Sequence, residues 1–281
     1  MALAVALNEL FGPKETRAFG ILMYHRIVDR PAGQPRPTWN VPPKLFEAQL
    51  QGLLARGWLA WPLSQVIECH KRELPIPRKT FVVTFDDGYA NNCTQALPIL
   101  SRLGVPATVF LATAYLDSDR PFPSDDWDAA GRPGVASDAW RPLSTDECWQ
   151  MLASGLIDIG AHTHTHADFR GRPGEMLADL EVNLAVLREK FGIDRPVFSL
   201  PYGTKPDGFA SNELASAARS AGICCSLTTE ATIVRPADSP FDWGRIPAEG
   251  HDTARTLAAR LGGWQEALRA RFKVPSSRFK V

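Results

Sequence analysis

Two short runs in this chain carry the residue types of a metal-assisted hydrolytic site. Thr84-Phe85-Asp86-Asp87-Gly88 ends an apolar, β-rich run in a pair of acids. His162-Thr163-His164-Thr165-His166 places three alternating histidines after a second such run, Ile157–Gly160. A carboxylate and two imidazoles are common protein ligands of a catalytic zinc-type site with an open position for water. A spare acid beside them is what such a site needs to move a proton. Neighbouring strand residues face opposite sides, so one acid can hold a metal while the other stays free as a base. Taken alone, Asp-Asp-Gly also fits a turn, and the histidines also fit a solvated loop. His162 and His166, four apart, can converge on a helical turn or in a tight loop; His164 is out of phase with them.

These residues need a frame. Ile21–Tyr24, Leu59–Trp61, Phe81–Phe85, Ala107–Ala112, Ile157–Gly160, Val197–Leu200 and Ile223–Leu227 read as strands. Most are nearly all apolar, as strands buried on both faces should be. Helical patterns lie between them. Phe46, Leu50, Leu53 and Leu54 share one face, and Leu177, Leu180, Leu184, Leu187 and Phe191 follow a three–four spacing between Pro173 and Gly192. This alternation predicts a mainly parallel sheet, open or closed into a barrel. Residues 117–141 break the rhythm, being rich in Asp, Pro, Gly and Trp without periodicity, as binding loops often are.

Composition narrows the class. The chain has 281 residues, 44% of them apolar, enough for one large domain or two small ones; an α/β barrel routinely reaches this size as one domain, here 1–281. A formal net charge of zero argues against a dedicated nucleic-acid binder. Five cysteines with no C-x-x-C pair read as thiols of a reducing compartment. Met1–Leu7 is apolar but short, lacks a basic start and is followed by Asn8 and Glu9, so it does not read as a signal peptide. A cytoplasmic protein is the expectation. From His251 to Val281 there are seven basic residues against two acidic ones, and Leu257, Leu261, Trp264, Leu268 and Phe272 fall on a helical spacing. A basic helical segment over about 252–281 is expected to pack on the barrel, with weak contact to the inner membrane surface as its alternative role.

In combination the two runs resemble the hallmarks of the polysaccharide deacetylases of carbohydrate esterase family 4: T-F-D-D-G at Thr84–Gly88 and H-[ST]-x-x-H at His162–His166. A third, an aromatic after proline, matches Pro201-Tyr202-Gly203. The resemblance covers most of residues 20–250. It implies a distorted (β/α)7 barrel, a divalent metal (zinc first; nickel, cobalt or manganese as alternatives) and removal of N-acetyl groups from amino sugars, less often O-acetyl groups. Carried over to this chain, Asp87, His162 and His166 would hold the metal and Asp86 would be the general base. The Tyr202 N–H would help bind the oxyanion, and the Pro201-Tyr202 pair would shape the sugar site.

The chain departs from that pattern twice. Family members often carry Arg two residues before the Pro-Tyr pair, where it supports the base; here Ser199 stands there. Arg245, in Trp243-Gly244-Arg245-Ile246-Pro247, is the best substitute: it could pair with Asp86 and is grouped with the substrate-binding residues. The family's closing strand, followed by Leu-x-His with His as general acid, has no good match near the C-terminus. Ile21-Leu22-Met23-Tyr24-His25 offers an apolar strand ending in His at the other end. The chain thus looks like a permuted member, with His25 as general acid and His251 as runner-up. The loop Phe122–Trp127 either offers Asp126 and Trp127 to a sugar or caps the barrel rim. The expected activity is N-deacetylation of an amino sugar or polysaccharide precursor, lipid-linked or nucleotide-linked. Deformylation, O-deacetylation or opening of a cyclic amide on the same site are alternatives, as is a catalytically silent sugar-binding barrel.

Overall fold

A computed structural model of the chain describes residues 17–30, 39–122 and 135–263. Its frame is a curled parallel sheet. Seven strands follow one another across it in the order Ile246–Pro247 (β10), Gly20–Tyr24 (β1), Thr80–Phe85 (β5), Ala107–Leu111 (β6), Ile157–Ala161 (β7), Phe198–Ser199 (β8) and Ser226–Leu227 (β9). Leu59–Ala60 (β4) adds to the edge of β5. A parallel bridge from Leu227 to Trp243 brings the segment that enters β10 beside β9 and draws the sheet round into a distorted barrel. The first strand lies between the last and β5, with Leu22 opposite Ile246 on one side and Val83 on the other.

The strands are apolar on both faces because both are covered. Alternation sorts the residues into two cores. Ile21, Val82, Phe110 and Leu227 point into the barrel and meet Leu63, Val66 and Ile67 of the helix Leu63–Lys71 (α2), which plugs one end. Leu22, Tyr24, Val83, Phe85, Val109, Ile157 and Ile159 face outward beneath the surrounding helices. Gly160 sits on the inner face, where a Cβ would come within 2.4 Å of the Phe110 ring.

The helix expected around Phe46 is Pro43–Leu54 (α1), with Phe46, Leu50 and Leu53 buried. The one expected between Pro173 and Gly192 is Pro173–Phe191 (α5), with Pro in its first turn and Gly192 at φ 69° ending it. Its buried face is Met176, Leu180, Asn183, Leu187 and Phe191, so a polar Asn shares a stripe the sequence marks as leucines. Three two-residue strands carry no periodic signal: Arg26–Ile27 (β2), Asn40–Val41 (β3), which pair as a small parallel lip after β1, and β10 itself. Of the basic C-terminal segment, the helix Ala254–Leu261 (α7) is described and buries Leu257 and Leu261; Trp264 and the rest lie outside the described residues. Among those described, no helix is long and apolar enough to cross a membrane.

Candidate metal centre and active site

The site stands where strands end, as in other (β/α) barrels. Asp86 and Asp87 follow β5, His25 follows β1 and His162 follows β7. On β5 the inward positions are Val82, Thr84 and then Asp86. Strand alternation would send Asp87 the other way. Its backbone instead turns left-handed, at φ 70°, and its carboxylate comes round to the histidines. Asp87 Oδ1 lies 3.4 Å from His162 Nε2 and 3.3 Å from His166 Nε2. Thr163 (φ 63°), His166 (φ 54°) and Tyr202 (φ 62°) are left-handed as well. Non-glycine residues hold such angles only where the surroundings impose them, and they gather at functional sites.

The histidine loop is fixed from outside. His162 Nδ1 donates to the Ser199 carbonyl at 2.7 Å, which turns Nε2 toward Asp87 and His166. His164 turns away: its Nδ1 meets Thr113 Oγ1 at 3.0 Å, and its N–H donates to Asp179. Asn183, wholly buried on α5, donates to the carbonyls of Leu111 (2.9 Å) and Thr163 (2.7 Å). The donor atoms of Asp87, His162 and His166 all lie within 4.8 Å of one another. One carboxylate oxygen and two imidazole nitrogens in that space suit a divalent cation.

Electrostatics separate the two acids. Burial alone would raise the pKa of both. At Asp86 this is overcome mainly by Arg245, whose two terminal nitrogens reach Oδ1 and Oδ2 at 2.7 Å each, and the carboxyl is held below the ordinary range. At Asp87 the His162 hydrogen bond and the His166 charge outweigh burial, and the pKa again falls. His162 is raised despite burial, by Asp86 and Asp87, whereas burial prevails at His166 and takes it down to about 4. Asp86 therefore stays an ionised carboxylate near neutral pH, as a base must.

Arg245 lies behind Asp86, not on a sugar-facing surface, which corrects its place among the substrate contacts. It is fully buried, and besides Asp86 its guanidinium donates to Ser199 Oγ (2.8 Å) and the Thr228 carbonyl (3.1 Å). Ser199 thus receives the cation whose family position it occupies. Removing one member of a buried ion pair strands the other. Arg245→Met is accordingly expected to lower unfolding stability by about 3–5 kcal/mol, read from a denaturant titration; an unchanged midpoint would contradict the pairing.

Pro201 is likewise buried, against a small apolar pocket that includes Phe169, Met176 and Leu214, so it shapes the turn and offers no surface to a sugar. Tyr202 is exposed, and its ring meets His166 edge-on with centroids 5.0 Å apart. His25 is half-buried. Burial lowers its pKa, partly offset by the charges of Asp87 and Asp86. His251 is exposed and pairs with Glu249 at 3.3 Å. Asp126 and Trp127 lie outside the described residues. Nothing in residue spacing marks Asn183, Asp179 or Ser199 as supports, beyond an Asn and an Asp set among the leucines of α5.

A curled parallel barrel with an Asp–His–His cluster at its strand ends defines a class of metal-site hydrolase folds. Comparison with known proteins narrows it. The chain belongs to the polysaccharide deacetylase family, whose model matches residues 74–225, more than half of the chain. It is 24% identical over 211 residues to the YxkH protein of Bacillus subtilis and 24% identical over 233 residues to a poly-beta-1,6-N-acetyl-D-glucosamine N-deacetylase of Escherichia coli. These matches take in 75% and 72% of this chain but only 64% and 33% of the relatives, so the chain spans less than two thirds of either. Among solved structures, IcaB from Ammonifex degensii aligns with a TM-score of 0.72 at 22% identity, covering 88% of this chain and 98% of that one. The Streptococcus pyogenes deacetylase PplD in complex with acetate aligns at 0.70 and 19%, covering 87% and 98%. These structural likenesses establish the shared fold.

Proposed function

We propose that this chain is a metal-dependent hydrolase that removes N-acetyl groups from an amino sugar or a polysaccharide precursor. The observation that carries the reading is the pairing of a three-donor cluster, Asp87–His162–His166, with a second, ionised acid that Arg245 fixes beside it. A binding site alone has no need of that second acid. The relatives named as N-deacetylases of an N-acetylglucosamine polymer support the same substrate class.

Asp87, His162 and His166 would hold the cation, zinc being the best match to a mixed nitrogen–oxygen set. Bound there, it supplies polarisation of the acyl oxygen and a lowered pKa for water. Asp86 accepts the proton of the attacking water. The Tyr202 N–H donates to the oxyanion as charge develops there, and the exposed Tyr202 ring guides the sugar. His25 gives a proton to the leaving amine, which is a poor leaving group until protonated. The substrate on this reading is an N-acetylated amino sugar or polysaccharide precursor, with lipid-linked and nucleotide-linked forms as its narrower candidates.

The test is turnover by the zinc-loaded chain on a panel, read as acetate from N-acetylglucosamine oligomers, a nucleotide-linked N-acetyl sugar and an O-acetyl sugar, as formate from an N-formyl sugar and as ring opening of a cyclic amide. Release from N-acetyl sugars alone is expected. Turnover confined to the formyl, ester or cyclic substrates would replace the reading, and binding without turnover would support a silent barrel. His25→Ala should fold, bind zinc and lose about 10²-fold or more in amide hydrolysis. An activated ester, whose leaving group needs no proton, should be affected far less. Equal loss on both substrates would move the proton-donor role elsewhere, with His251→Ala the next variant to assay.

A further inference from the structure

His25 is held differently from the other site histidines. His162 has its far nitrogen fixed by the Ser199 carbonyl. The Nδ1 of His25 is buried and has no hydrogen-bond partner among the described residues. Asn92 donates to the His25 carbonyl at 2.8 Å, which fixes the backbone but not the ring. A histidine that must deliver a proton along one direction needs its ring plane set, usually through that second nitrogen. Here the flat contact is with Trp39. The two rings stack with centroids 5.2 Å apart and planes 24° from parallel. Trp39 comes just before the lip strand β3, at φ 54°, a costly backbone angle for so bulky a residue. Its carbonyl accepts the Arg26 N–H at 3.2 Å, anchoring it beside the chain that leaves His25. Trp39 is 43% exposed, so burial in a core does not account for its placement.

We propose that Trp39 is a positioning residue: its indole sets the plane of the His25 imidazole and so aims the proton at the leaving amine. The inference rests on the reading of His25 as general acid. Without the stack the ring can turn about its side-chain bonds, with no hydrogen bond at Nδ1 to stop it. Misplacement of a reacting group by about an ångström costs up to roughly 10²-fold.

The test uses the zinc-loaded full chain with Trp39→Ala and Trp39→Phe, each made in the parent and in His25→Ala. Substrates are an N-acetylglucosamine oligomer and an activated acetate ester. Trp39→Ala should lower kcat on the amide by about 10–100-fold, with KM and zinc content near the parent's and ester hydrolysis little changed. Trp39→Phe, which keeps a flat ring, should recover most of the loss. In the His25→Ala background, Trp39→Ala should add nothing. Equal loss on the ester, a loss carried by KM alone, or an undiminished further loss without His25 would overturn the proposal, the KM result making Trp39 a sugar-binding wall instead. Should the Ala variant fail to fold, Trp39→Leu keeps bulk without a stacking plane: low amide turnover supports the role, and parental turnover refutes it. If His25→Ala itself retains amide hydrolysis, the general-acid reading fails first, a result distinct from an impaired His25→Ala beside an unimpaired Trp39→Ala.

Discussion

Asp86→Asn is expected to keep its zinc and lose turnover on the N-acetylated substrate by about 10²–10⁴-fold. The change removes a charge and a proton acceptor but keeps the size of the side chain. The three metal donors lie on other residues, so occupancy should hold. Arg245 would still find Ser199 Oγ, the Thr228 carbonyl and the amide oxygen. The loss should appear in kcat, since an acid buried this deeply acts on the attacking water more than on the sugar. Metal analysis with steady-state kinetics checks it. Full activity in Asp86→Asn would mean the water is activated without this base, and the proposed division of labour between the acids would be wrong.

His162→Ala and His166→Ala are each expected to remove most bound metal and, with it, nearly all activity. Two donors do not make a stable site for a cation whose protein sites usually supply three or four. Asp87→Ala should do the same, so the adjacent acids separate by phenotype: one loses metal and turnover together, the other turnover alone. His164→Ala is the control. Its ring is taken up by Thr113, away from the cluster, and metal content should stay close to the parent's. Elemental analysis after dialysis against a zinc-buffered solution decides the matter. Normal occupancy in either His162→Ala or His166→Ala would refute that ligand, and depletion in His164→Ala would mean the loop presents a different pair.

Short contiguous patterns were legible in the sequence, and long-range support was not. Asp86-Asp87 and His162–His166 stand out because each run directly follows an apolar strand, so spacing alone sets both at strand ends. The strands β1, β5, β6 and β7 were readable because short, mostly apolar runs bounded by polar residues have few other uses. The pairs β2–β3 and β1–β10 each rest on two positions, and β2, β3 and β10 are too short for any period to show. The sequence pointed to Arg245 as a partner for Asp86, but not to its depth inside the barrel, because an arginine is ordinarily at the surface. The roles of Asn183 and Ser199 depend on hydrogen bonds to backbone carbonyls or to Arg245, contacts that leave no mark on residue spacing.

The order of strands bears on how the protein comes into being. β1 precedes most of the barrel in the chain, yet one of its two neighbours, β10, begins only at Ile246. Arg245 and Asp86, which neutralise one another, are 159 residues apart in the chain. Contacts this distant in sequence close large loops before they return any free energy, and they make folding slow. A nascent chain that has not reached β10 carries an unpaired strand edge at Leu22–Met23 and an acid facing the barrel interior without its cation. Open edges of that kind invite association between chains. Arg245 directly precedes β10, so the segment that pairs the Leu22–Met23 edge also brings Asp86 its counter-charge.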